Sequence, residues 1–104
     1  MSTSINTQSL DIQHDSAAGL FHAELQGHRC VADYRLLPGL AGTASLMVFH
    51  HTAVPAELAG QGIAARLVAH ALAHARSQGW RVQPVCSYVR AYMQRHPETQ
   101  DLLN

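Results

Sequence analysis

The stretch from Val54 to Ala73, Val-Pro-Ala-Glu-Leu-Ala-Gly-Gln-Gly-Ile-Ala-Ala-Arg-Leu-Val-Ala-His-Ala-Leu-Ala, constrains this chain more than any other. Before it, Ala44 to Phe49 is an apolar, partly β-branched run that reads as a strand. Pro55 closes that strand because it has no N–H to give to a ladder. Gly60 and Gly62 supply a turn, and from Ile63 the apolar residues recur at 63/64, 67/68, 71/72 and 75. That is the spacing of one face of an α-helix. The unit is therefore strand, glycine turn, helix N-terminus.

Such a unit has a chemical consequence. The first turn of a helix carries backbone N–H groups without intrahelical partners and the positive end of the dipole, so it suits a phosphate or pyrophosphate. Glycine lets a ligand approach the main chain closely. The dinucleotide fingerprint Gly-x-Gly-x-x-Gly is not completed, because Arg66 and its neighbours supply no third glycine, and the Lys-Ser/Thr ending of a P-loop is missing. Nucleotide hydrolysis is not expected, and an ordinary turn is the simpler alternative.

The segment Ala59-Gly60-Gln61-Gly62-Ile63-Ala64 resembles the acetyl-CoA loop of the GNAT superfamily of N-acetyltransferases, Gln/Arg-x-x-Gly-x-Gly/Ala. Gly62 and Ala64 fall on its small positions, while Ala59 stands where Gln or Arg is usual. The resemblance runs from about residue 10 to 103 and is closest to a small single-domain group, the N-acetyltransferase domain-containing protein 1 type. His51-Thr52-Ala53-Val54-Pro55, Pro84-Val85-Cys86-Ser87-Tyr88-Val89, Tyr92 and His96-Pro97-Glu98 carry it. Ala53 departs from a position where the group tends to have Glu. The resemblance implies acetyl-CoA as cosubstrate, held by Val54, Ala59, Gly60, Gln61, Gly62, Ile63, Ala64 and Ala65, with Arg90 reaching a phosphate from the last helix. The alternative for Arg90 is a solvated helix charge.

The rest of the chain reads as short strands and turns. Leu10 to His14 alternates as a half-buried first strand; Asp15 to Gly19 is a turn; Leu20 to Leu25 and Cys30 to Leu37 form a hairpin around Gln26-Gly27-His28. Pro38 to Gly42 turns into the strand Thr43 to His51. After a helix from about Gly62 to Gln78, capped by Gly79, the run Trp80 to Cys86 is a strand parallel to the one before the loop. Tyr88 to His96 is the last helix, stopped by Pro97, and Glu98 to Asn104 a tail. The expected fold is α+β (α/β): a GNAT-like mixed, mostly antiparallel sheet with a β-α-β coenzyme A-binding unit and two helices.

With 104 residues, one domain is expected, residues 9–104, after a flexible lead-in at residues 1–8. Hydrophobic residues at 47% and charged ones at 13% favour a packed core over disorder. Seven basic against seven acidic residues leave no basic footprint for nucleic acid, and no apolar run approaches the roughly 20 residues of a membrane span. Met1 to Leu10 has neither the basic start nor the apolar core of a signal peptide. Cys30 and Cys86 form no Cys-x-x-Cys pair. Free thiols in a reducing, cytoplasmic setting are expected, in a monomer or weak dimer.

Three residues stand out for chemistry. Cys86 sits at the expected C-terminal end of a strand, beside a helix N-terminus that favours the thiolate. The resemblance sets it facing the acetyl thioester, and simple packing is the alternative. His51, at the end of the strand before the loop, is the base candidate, with His50 on the opposite face by strand alternation. Tyr92 aligns with the tyrosine that often protonates the leaving thiolate in the superfamily. His70 and His74 have metal-compatible i, i+4 spacing but no third ligand, so no metal is expected. Two routes stay open, direct attack of an amine on acetyl-CoA and transfer through Cys86. So do two functions: acetylation of an amine, with a protein among the candidate acceptors, and non-enzymatic binding of coenzyme A or acetyl-CoA in a regulatory or interaction module.

Overall fold

Period-two patterning builds one five-stranded sheet. Its strands are β1 (Gln13–Asp15), β2 (Leu20–Leu25), β3 (His28–Leu37), β4 (Leu46–Ala53) and β5 (Arg81–Pro84), hydrogen-bonded in that order. The first three pairings are antiparallel and β4–β5 is parallel. Phe21 and Ala23 of β2, Cys30, Ala32 and Tyr34 of β3, Met47 and Phe49 of β4 and Val82 of β5 are buried on one face. Helix α1 (Ile63–Gln78) covers that face with Leu67, Val68, Ala71, Leu72 and Ala75, and α2 (Ser87–Arg95) adds Val89 and Met93. Each large apolar side chain so buried is worth about 1.5–3 kcal/mol. The alternate residues, among them Glu24, Arg29, Arg35, Arg81 and Gln83, stay exposed on the other face. The computed structural model describes residues 10–104, and the lead-in expected at residues 1–8 lies outside them.

The expected fold class and the parallel last strand hold, while several boundaries move for local reasons. β1 begins at Gln13 rather than Leu10, because Leu10 and Ile12 pack against the core without pairing. β4 starts at Leu46, after a loop tied by Thr43 Oγ1 to the Leu40 carbonyl (2.7 Å) and by the Gly39 amide to Ser45 Oγ (3.3 Å). α1 ends as expected at Gly79, whose φ of 73° lets its N–H return to the carbonyls of Ala75 and Arg76. The tail is a finding of its own. Pro97–Leu102 is a 3₁₀ helix that buries Leu102, and Leu103 then makes a parallel bridge to Val82. Arg76 clamps this segment by two 2.8 Å bonds to the Asp101 carboxylate and one of 2.9 Å to the Glu98 carbonyl.

Candidate functional site

The site begins with a β-bulge. Tyr34 of β3 lies opposite Phe49, but Asp33 lies opposite His51, so His50 is an extra residue on β4. The insertion shifts the alternation by one. Beyond it the half-buried Thr52, not His51, comes to the helix side, where its Oγ1 lies 3.9 Å from Cys86 Sγ. His51 is exposed and faces away from the helices, across from Asp33. Plain alternation puts His51 on the side of Phe49; the bulge reverses that, and a period-two count cannot detect it.

At the same point β5 parts from β4. Their pairing ends at Phe49 with Pro84, and the Phe49 carbonyl accepts the N–H of both Val85 and Cys86 at 3.0 Å. Thr52 and Ala53 continue, paired only with Ala32 and Val31 of β3. Beyond Phe49 the two strands part, and the Cys86 side chain lies against the hydroxyl and backbone of Thr52.

The glycine turn stands beside it. Leu58, in a 3₁₀ turn over Ala56–Leu58, and Ile63 are both buried and pin the two ends of the segment Ala59-Gly60-Gln61-Gly62. Gly60 and Gly62 have φ of 82° and 77°, the left-handed region that glycine adopts without strain. A Cβ at either would meet no protein atom within 4 Å, so the space over the turn is open to a ligand. The first bond of α1 runs from the Arg66 N–H to the Gly62 carbonyl at 3.1 Å. The amides of Ile63, Ala64 and Ala65 therefore have no helical acceptor. No acidic side chain occupies this first turn, so nothing there opposes an anion.

Six of the expected ligand-binding residues, Val54, Ala59, Gly60, Gly62, Ile63 and Ala64, line one cleft of about 300 Å³. Leu58 and Tyr88 complete it. Gln61 and Ala65 lie half-buried within the same turn. Tyr88 beside Ala64, and Tyr92 beside Ala69 and Ala73, show that α1 and α2 run side by side in one direction. Both N-termini therefore open at the sheet edge where β4 and β5 end.

Cys86 is the N-cap of α2 and half-buried. Burial pushes its thiol up, but the N–H groups of Val89 and Tyr88, together with the Thr52 hydroxyl and backbone, outweigh that and hold it below its ordinary value. Cys30, buried with no such donors, is pushed up. Two expected residues lie elsewhere. Arg90 folds back on the carbonyls of Val85 (2.8 Å) and Pro84 (3.5 Å). Tyr92 stacks on His96 at 3.9 Å in a separate cleft with Arg76 and Glu98. Sequence reasoning gave no role to Thr52 or Tyr88, although Tyr88, one turn before Tyr92, could have been found from helical spacing.

Chemically, the arrangement offers amides without helical acceptors for a phosphate, an apolar-walled cleft that reaches Tyr88, and, two residues before Tyr88, a thiol held below its ordinary value. Among the described residues no group of three or more His, Cys, Asp or Glu could hold a metal ion, and no helix is long and apolar enough to cross a membrane. Residues 20–102 match the family model described as GCN5-related N-acetyl-transferase. No curated protein matches the chain.

Proposed function

The chain belongs to the GCN5-related N-acetyltransferase family, and from that premise we propose that it transfers the acetyl group of acetyl-CoA to an amine, as a member of the small single-domain group. One observation carries the reading: the amides of the glycine turn that lack helical acceptors and the half-buried Cys86 lie at one sheet edge, and the cleft over the turn reaches Tyr88, in the first turn of the helix that Cys86 caps. The pyrophosphate of the coenzyme would rest on the amides from Gly60 to Ala65. Its pantetheine arm would follow the cleft toward Cys86. No metal is needed for this chemistry. Two free thiols fit a reducing, cytoplasmic compartment.

In direct transfer the amine nitrogen attacks the thioester carbon. The N–C bond forms, the C–S bond breaks, and coenzyme A leaves on the sulfur. The proton lost by the amine needs a base, and His51, turned to the face opposite Thr52 and Cys86, does not line the cleft. In the second route the Cys86 thiolate attacks first, releasing coenzyme A, and the amine then displaces the cysteine sulfur. Tyr88 lines the cleft and is better placed than Tyr92 to return a proton to the departing sulfur. The shallow, open cleft suits an amine on a protein better than an enclosed small molecule. A second reading, a coenzyme A-binding module without transfer, draws on the commitment of Arg90 and Tyr92 to other contacts.

The test is a thermal-shift titration with acetyl-CoA and CoA, followed by intact mass. A ligand at 100 times its dissociation constant stabilises by about 2.7 kcal/mol. Stabilisation with one added acetyl group, lost in Cys86→Ala, supports transfer through the thiol. Stabilisation without mass gain leaves direct transfer or binding, which a panel of lysine peptides separates. No shift with either coenzyme overturns the proposal.

A further inference from the structure

Three histidines meet at the β1 edge of the sheet, where this short strand lies against α1. His14, the central residue of β1, stacks on Phe21 with ring centroids 4.1 Å apart and planes 7° from parallel. The edge of His74, from α1, meets it at 4.6 Å. His14 Nε2 lies 2.6 Å from the Tyr34 hydroxyl of β3. His74 and His70, one turn apart on α1, also stand edge-on to Phe21, each at 5.6 Å, and His74 continues to Trp80 at 5.2 Å. Below this cluster, Leu10 and Ile12 border a cleft of about 400 Å³ with Arg66, Ala69 and His70.

We propose that this cluster is a proton-operated latch, holding β1 and the residues leading into it on α1 while the His14 ring is neutral and releasing them when that ring takes up a proton. β1 has three residues and pairs with β2 alone, so its attachment depends on the His14 contacts more than on its ladder. The charged and titratable groups around His14 come from every neighbouring element. His70, His74 and Arg66 lie on α1, Tyr34 on β3 and Asp15 beside it on β1, while β2 contributes only the uncharged Phe21. Asp15 is therefore the one carboxylate acting on the ring, against two histidines that repel its charge.

A hydroxyl that donates to Nε2 needs the neutral ring, because the cationic ring carries N–H on both nitrogens. Where Nε2 accepts from Tyr34, protonation reverses that bond, and in either tautomer it puts a charge between Phe21 and His74. Burial first, then His74 and His70, hold His14 below the ordinary histidine value. Release of β1 frees the ring from all three constraints at once. It also uncovers Phe21 and the outer edge of β2, which in the latched state is covered along Leu20 to His22.

Amide hydrogen exchange at successive pH values, corrected for intrinsic rates, reads the latch directly and needs no acetyl acceptor or coenzyme. Between about pH 7 and pH 5, protection of the β1 amides and their β2 partners is expected to fall by at least about tenfold, with β3, β4 and α1 keeping theirs. His14→Phe keeps the stacked ring but cannot be protonated, so it is expected to hold protection at pH 5. His74→Gln removes one repelling charge and is expected to move the transition to lower pH, giving a second readout should His14→Phe not fold. Protection of β1 that ignores pH overturns the proposal. So does a loss shared equally by the whole sheet, or a His74→Gln transition at the wild-type pH.

Discussion

At the scale of single residues, the thiol of Cys86 is set by hydrogen-bond donors rather than by charge. The Thr52 hydroxyl and backbone join two amides at the start of α2 in favouring its thiolate. The alkylation rate of Cys86 by iodoacetamide is therefore expected to reach half its plateau at a lower pH than that of free cysteine, with Cys30 inert. Thr52→Val is expected to move that midpoint back up, because it deletes one donor and leaves the amides. Cys86 was legible in the sequence, since a cysteine ending a strand before a helix is a pattern of residue types. Thr52 was not. Its place beside Cys86 depends on the extra residue at His50, which only the pairing register exposes. The same shift turned His51 to the helix-free face.

Among the elements, the glycine turn and α1 were the most legible, because left-handed glycines and a 3.6-residue period leave marks in the sequence itself. Gly62 and Gly79 make a controlled comparison. Both have φ above 70°, and a Cβ at either meets no protein atom within 4 Å. Ala at either position is expected to cost about 1–2 kcal/mol of conformational strain, read by urea denaturation. Only Gly62→Ala is expected also to weaken the thermal shift given by acetyl-CoA, since only that Cβ projects over the open amides. The 3₁₀ segment after Pro97 was read as a plain tail. Its sequence is polar apart from Leu102 and Leu103, and its anchor, the Arg76–Asp101 clamp, joins residues 25 positions apart. Leu102, 5% exposed, anchors it from beneath. Leu102→Ala is expected to cost about 2–3 kcal/mol, measured by the shift of the urea midpoint.

Over the whole molecule, stability should depend on pH through the histidine cluster. The folded state holds His14 below its unfolded value of about 6.5, so the unfolded chain binds more protons in that window. The unfolding free energy is thus expected to be full above about pH 7 and to decline as pH falls through 6.5 toward the lowered folded value. Urea titrations at stepped pH check this, and His14→Phe should flatten the slope. The mostly antiparallel sheet and the parallel last strand were legible because alternation and crossover length restrict the arrangements available. The bulge has a consequence at the level of the gene. Without its insertion β4 would read Met47, Phe49, Thr52 and Val54 on one side in unbroken alternation. An in-frame loss of the single His50 codon would therefore leave every apolar residue of the strand on its present side. Such a deletant is expected to match the parent in urea denaturation while losing the acetyl-CoA thermal shift, as the straightened strand closes on Cys86. One inserted residue stands where β4 and β5 part, and a lineage could discard it in one step while keeping its core.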